Sequence, residues 1–174
     1  LEIDVNPFIV YPEGGVAVDA LVRMDGKFAA IPRKRHDPST VAPFFQPSSI
    51  AVIGASRSPG KGGNIILRNL LKAGFKGAIY PINPSVKEIL GLPAFARVSD
   101  VPTPVDTAMI VIPKSAVPDA LEDCASKGVS GIILSTGGYS DMGEAGAKEQ
   151  NRIIDQARKA GIRIMGPNSI GTLN

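Results

Sequence analysis

Residues 49–63 read SIAVIGASRSPGKGG. Ile50 to Ile53 form a short apolar run of the kind buried strands use. The chain then breaks into a glycine-rich stretch and resumes with Ile66, Leu67, Leu70 and Leu71 at helical spacing. Strand, glycine loop and helix in that order build an anion site. The first N–H groups of a helix have no partner inside it, and glycines let a phosphate approach them closely. The expected ligand therefore carries phosphate.

Working outward, the same alternation repeats. A helix over 64–73 stopped by Gly74 is followed by a strand over 78–82 and an irregular segment containing Gly91 and Pro93. A strand over 107–112, a helix over 116–127 stopped by Gly128, a strand over 131–134, a helix over 146–160 stopped by Gly161 and a strand over 163–165 complete it. Near-continuous apolar strands between amphipathic helices imply an α/β fold, a parallel sheet covered on both faces. Right-handed crossovers make it a Rossmann-like doubly wound parallel sheet.

Ahead of it, LEIDVNPFIVY and VAVDALVRM read as two strands joined at Pro12-Glu13-Gly14-Gly15. An isolated hairpin is marginal in water, so residues 1–24 are expected to belong to a sheet outside this chain. Residues 25–43, rich in proline and charge and without apolar period, read as a linker, with the globular domain at 44–174. Leu1 opens inside a strand-like pattern, without a start Met or a signal-like region, and the chain is expected to be a piece of a longer polypeptide.

Composition narrows the function class. The chain has 174 residues, with 19 Lys and Arg against 16 Asp and Glu and no Trp. Mild charge and sparse aromatics argue against nucleic acid. No apolar run is long enough to span a bilayer. The one cysteine, Cys124, falls on an apolar helix side with Leu121 and Ala125, which reads as a buried structural thiol. A lone thiol suits a reducing, cytoplasmic setting.

In doubly wound sheets the ligand sits at the carboxyl ends of the strands. Here these ends are GASRSPGKGG, Asn83-Pro84, Pro113-Lys114, Ser135-Thr136-Gly137-Gly138 and Gly166-Pro167-Asn168. They contain no carboxylate and no histidine, so the rim is expected to bind rather than to move protons. A dinucleotide site would show G-x-G-x-x-G and an acid after the second strand; Gly54-Ala55-Ser56 and Asn83 depart from both. A Walker loop fails too, because Lys61 precedes Gly62 rather than Ser or Thr. Arg57 and Lys61 still bracket the loop with cations, as a ligand with more than one phosphate requires.

The series FFQPSSIAVIGASRSPGKGG, GAIYPINP, EILGLPAF, DTAMIVIPKSAVPDALEDCASKGV, ILSTGGYSDMGEAG and GIRIMGPNSIGTLN closely resembles the CoA-binding domain of ADP-forming (NDP-forming) acyl-CoA synthetases. These are acetate–CoA ligase relatives of succinyl-CoA synthetase. LEIDVNPFIV followed by GGVAVDA resembles the end of that family's ATP-grasp domain. The resemblance implies an enzyme, a ligase that converts a carboxylic acid, CoA and ATP into acyl-CoA, ADP and phosphate. An acyl phosphate and a phosphohistidine carry the reaction, and that histidine lies outside this chain. His36, in the linker, is not expected to serve.

The resemblance also implies site roles. Gly54, Ser56, Arg57, Ser58, Gly60 and Lys61 would cradle the CoA phosphates, and Asn83, Pro84, Pro113 and Lys114 would line the nucleotide or pantetheine groove. Gly137, Gly138, Gly166, Pro167 and Asn168 would sit near the thiol end. Asn6 and Asp19 would coordinate the Mg²⁺ of ATP or ADP, with Asp4 beside them; Asn and Asp oxygens suit that hard cation. Partners would be the remaining domains or subunits of the synthetase, as an oligomer, and a small carboxylic acid. Rival readings are a non-catalytic CoA-binding or CoA-sensing module, which should lack the ATP-grasp end, a related protein-lysine acetyltransferase fusion, and a nicotinamide dehydrogenase.

Overall fold

A computed structural model describes residues 2–5, 8–17, 19–23 and 41–171. The chain forms two compact units, Leu1–Arg35 and His36–Asn174. In the first, each arm of the expected hairpin is divided in two. β1 (Glu2–Val5) pairs antiparallel with β4 (Ala20–Arg23), and β2 (Phe8–Val10) with β3 (Gly15–Ala17). The tip is closed by a Tyr11 N–H to Gly14 carbonyl bond of 2.9 Å, with Gly14 at φ +95°.

The second unit opens with a single helical turn, α1 (Ala42–Phe45), at the end of the stretch read as linker. There follow β5 (Ser49–Ile53), α2 (Gly62–Lys72), β6 (Ala78–Ile82), β7 (Glu88–Ile89), β8 (Leu92–Pro93), β9 (Thr107–Ile110), α3 (Val117–Lys127), β10 (Gly131–Leu134), α4 (Glu144–Lys159) and β11 (Arg163–Met165). β5, β6, β9, β10 and β11 form one sheet in the order β11-β10-β9-β5-β6, and every neighbouring pair is parallel. The expected Rossmann-like parallel sheet is present. The winding reverses between β5 and β9, so the carboxyl ends of these two strands flank the switch-point crevice.

The strand residues alternate between two cores. Ala51, Ile53, Ala108, Ile110, Ile132 and Leu134 face α3 and α4, where Val117, Leu121, Cys124, Ile153 and Ala157 meet them. On the other face Val52 packs with Leu67 of α2, while Met109 and Ile133 pack with Phe44 of α1. This period of two explains why β5, β9 and β10 read as near-continuously apolar: both of their sides are buried.

Several boundaries differ from the sequence reading for local reasons. α2 begins two residues early, at Gly62 and Gly63, so these glycines belong to its first turn, where a Cβ on Gly63 would meet the Gly54 carbonyl oxygen at 2.0 Å. The segment around Gly91 is a small hairpin, β7 with β8, whose turn places Leu90 at φ +53° and Gly91 at φ +78°. Before α3 the chain makes a 3-10 turn over Lys114–Ala116.

Cys124 is fully buried on α3, as expected of a structural thiol. Burial, reinforced by the Asp123 charge, raises its pKa from 9.0 to about 12. The unfolded thiol ionises first as pH rises, so the fold loses stability between pH 9 and about 12 and gains none below. At pH 8 the native protein should therefore resist alkylation by iodoacetamide, and mass spectrometry should show rapid labelling only once urea unfolds it. Rapid labelling of the native protein would contradict the buried placement.

Candidate functional site

The glycine loop between β5 and α2 is set by backbone contacts. Gly54 has φ +91°, and a Cβ there would lie 2.4 Å from the Val111 carbonyl oxygen beyond β9. A Cβ on Gly63 would lie 2.0 Å from the Gly54 carbonyl oxygen. Helix α2 can start this close to the strand end only because both positions lack side chains. Gly60, at φ +82°, has nothing within 4 Å of its would-be Cβ and serves the turn alone.

Polar side chains then fix the loop from inside. Asn64 is fully buried; its Nδ2 donates to the Ser56 carbonyl at 2.8 Å, while its Oδ1 accepts from Arg68 Nε at 2.8 Å. From the neighbouring strand end, Asn83 Nδ2 donates to the Ala55 carbonyl at 2.7 Å, and its Oδ1 accepts the Ser85 N–H at 2.8 Å. Ser56 Oγ accepts the Ser58 N–H at 3.1 Å. The Asn83 amide is thus occupied in shaping the loop. Nothing in the spacing of the motif reveals Asn64, although a polar residue in register with apolar Leu67 and Leu71 on α2 is the signal that could have found it.

What remains unengaged is the anion-binding chemistry. The N–H groups of Asn64 and Ile65 fold back on the Lys61 carbonyl, and those of Gly54, Ala55, Ser58 and Lys61 are bonded within the site, which leaves those of Gly62 and Gly63 at the helix start to meet a ligand. Arg57 and Lys61 are exposed and form no ion pair among the described residues. With Ser58 and Gly60, also exposed, they surround the helix start.

The structure also brings carboxylates to the rim that the strand-end motifs lack. Lys114 Nζ donates to the Gly138 carbonyl at 2.9 Å, pairs with Glu149 of α4 at 2.8 Å and lies 5.5 Å from the centre of the Tyr139 ring. Asp141 accepts the Tyr139 N–H at 2.6 Å. The Gly137–Gly138 turn is therefore held by Lys114 on one side and Asp141 on the other. Tyr139 is buried with no partner for its hydroxyl among the described residues, and burial, then the nearby Glu149 charge, raises its pKa above the usual 10.0. Across the turn, a Gly137 Cβ would lie 3.5 Å from Asn168 Oδ1, and the Asn168 N–H donates to the Thr136 carbonyl at 3.2 Å. Gly166, at φ +118°, backs onto the Leu134 carbonyl, where a Cβ would lie 2.4 Å away, and Pro167 follows it. These residues form one corner of the rim.

Beside the glycine loop lies a cleft of about 530 Å³, which Gly54, Ile82, Asn83, Pro84, Ile112 and Ala116 line together with Arg97 and the first turns of α3. It spans the reversal between β5 and β9. A hollow of about 690 Å³ along the edge strand β11 touches the predicted residues only at Gly166. Pro113 is exposed at the end of β9.

The matching family model, described as CoA binding domain, covers residues 48–174. The chain belongs to this CoA-binding domain family. The expectation drawn from the motifs is thereby met, and the dinucleotide alternative is set aside. The chain is 42% identical over 176 residues to ADP-forming acetate–CoA ligase II of Archaeoglobus fulgidus, covering 100% of this chain and 25% of the relative. An ADP-forming 4-hydroxybutyrate–CoA ligase of Nitrosopumilus maritimus is 41% identical over 135 residues, 78% of this chain and 19% of the relative. Among solved structures, the dinucleotide-forming acetyl-coenzyme A synthetase 1 of Ca. Korarchaeum cryptofilum, in complex with phosphate and ADP, matches with a TM-score of 0.71 at 42% identity. That match covers 74% of this chain and 27% of the synthetase. The chain thus spans about a quarter or less of these relatives.

Of the two expected metal ligands, Asp19 is exposed and Asn6 lies outside the described residues. No group of three or more His, Cys, Asp or Glu is gathered for a metal among the described residues, and no described helix is long and apolar enough to cross a membrane.

The glycine contacts predict a ranking. Gly54→Ala and Gly63→Ala should each destabilise the domain by ~2 kcal/mol or more, since backbone must move. Gly60→Ala, where only the positive φ opposes a side chain, should cost about 1 kcal/mol. Urea midpoints measure this; equal losses at Gly54 and Gly60 would contradict the close packing.

Proposed function

We propose that this chain is the CoA-holding part of an ADP-forming acyl-CoA synthetase, which converts a carboxylic acid, CoA and ATP into acyl-CoA, ADP and phosphate. The observation that carries the reading is the glycine loop. Two exposed cations that form no ion pair among the described residues and the free N–H groups of a helix start sit together in a CoA-binding family domain. Gly54, Ser56, Ser58 and Gly60 form the cradle, and Arg57 and Lys61 supply charge to the CoA diphosphate.

Asn83, Pro84 and Pro113 shape the groove beside it, with Lys114 setting the Gly138 carbonyl. The corner made by Gly137, Gly138, Gly166, Pro167 and Asn168 receives the thiol end, where the acyl phosphate must arrive. Positioning and charge stabilisation suffice for phosphoryl transfer, and the carboxylates at the corner of the rim, Asp141 and Glu149, are engaged by the Tyr139 N–H and by Lys114. The acyl phosphate chemistry, and the phosphohistidine that links it to ATP, belong to other domains or subunits of an oligomeric enzyme.

Residues 1–24 are proposed as the end of an ATP-grasp domain, 25–43 as a linker and 44–174 as the CoA-binding domain. The likeness to the Archaeoglobus ligase favours this order, since it runs through the head of the chain as well. Asn6 and Asp19 would there supply oxygen donors to Mg²⁺, whose charge neutralises the nucleotide phosphates. The acid substrate is chosen elsewhere, because relatives named for acetate and for 4-hydroxybutyrate are about equally similar, at 42% and 41% identity.

Titration calorimetry on the full chain should show CoA binding and no NAD binding. The double substitution Arg57→Ala with Lys61→Ala should weaken CoA by about tenfold or more, and by less as salt rises. NAD binding without CoA binding would overturn the function; an unchanged CoA affinity in the double variant would overturn the phosphate assignment.

A further inference from the structure

The cleft beside the glycine loop contains one more cation, Arg97, at the start of a 3-10 turn (Val98–Asp100) after the β7–β8 hairpin. Its Nε donates to Asp123 Oδ1 at 3.2 Å, while Asp123 Oδ2 accepts the Val98 N–H at 2.7 Å. The Asp123 side chain is 9% exposed and the Arg97 side chain 67%. A buried carboxylate therefore anchors the guanidinium by its inner edge and leaves its outer edge in solvent. Nη1 and Nη2 have no acceptor among the described residues. An arginine fork held by Nε, with its terminal N–H groups free, is preorganised for a phosphate.

The surroundings say which phosphate. The loop that takes the diphosphate and the cleft share Gly54. Ile53, Ile82, Ile112, Ala116 and Ala120 give the cleft apolar walls suited to a flat base. In a 3′-phosphoadenosine diphosphate the ribose lies between base and diphosphate. With the diphosphate on the loop and the base in the cleft, the ribose and its 3′-substituent would share that cleft with Arg97. Among the described residues Arg97 is the only Lys, Arg or His lining the cleft, and Asp119 and Glu122 line it from α3. Those carboxylates repel an anion unless the guanidinium stands between, so the site discriminates on this one side chain.

We propose that Arg97 is a specificity-determining residue that binds the 3′-phosphate of CoA and selects it over nucleotides with an unphosphorylated ribose. The assignment rests on the CoA reading above. Asp123 acts through Arg97 as a positioning residue.

The experiment is calorimetric titration of the full chain with CoA and with 3′-dephospho-CoA. The wild type should prefer CoA by about tenfold or more. Arg97→Ala should lower CoA affinity to that of dephospho-CoA, which itself stays unchanged. Arg97→Ala with Asp123→Asn, which leaves no unpaired buried charge, should do the same, and thermal unfolding checks that both variants fold. Equal affinity of the wild type for both ligands, or an equal loss for both in the variants, would overturn the assignment while leaving CoA binding intact. No binding of either ligand by the wild type would overturn the CoA reading and this assignment with it.

Discussion

The structure depends on a contact between two stretches of bare backbone. Where β5 ends and α2 begins, the Gly54 carbonyl occupies space that any Cβ at Gly63 would need, and Gly54 itself lies against the Val111 carbonyl. That approach joins three elements at one point: β5, α2 and, across the switch point, the end of β9. It aims the helix N-terminus along the crevice, which gives an oriented dipole without any charged residue having to be buried. The hydrophobic layers on either side of the sheet follow from strand alternation. Site geometry, in contrast, follows from the absence of side chains at two positions.

Around that contact the polar groups divide into those that build and those that remain available. Asn64, Asn83, Lys114 and Asp141 have committed their donors or acceptors to backbone groups of the rim. Arg57, Lys61 and the outer edge of Arg97 have not. Of the builders, Asn64, Asn83 and Lys114 are partly or wholly screened from solvent, where a hydrogen bond resists competition from water. Available cations sit at the surface, where they can exchange hydration for a ligand at little cost. This division is what the proposed binding of a polyanion at this rim would draw on.

Much of this was legible in the sequence. β6, β10 and β11 fall where the apolar runs end, because flanking Gly, Pro and Ser punctuate them. The glycine loop between β5 and α2 was readable because glycine spacing is a direct statement about backbone geometry. The β7–β8 hairpin was not, since its turn puts Leu90 at φ +53°, a conformation for which leucine gives no signal. Arg97 was hidden for the same reason: it follows that turn, and its anchor, Asp123, stands on a helix 26 residues away. Asp141 and Glu149 also reach the rim only through tertiary structure, from a turn and a helix beyond the fourth strand of the sheet in chain order.

Asn64 holds the loop through the Ser56 carbonyl rather than through a side chain. Any residue has a carbonyl at that position, so the loop's path does not depend on which side chains it displays. Arg57, Ser58 and Lys61 can therefore drift under mutation, tuning affinity or ligand charge, while the scaffold beneath them stays the same. Shape and preference are encoded at separate addresses, and one can evolve without the other.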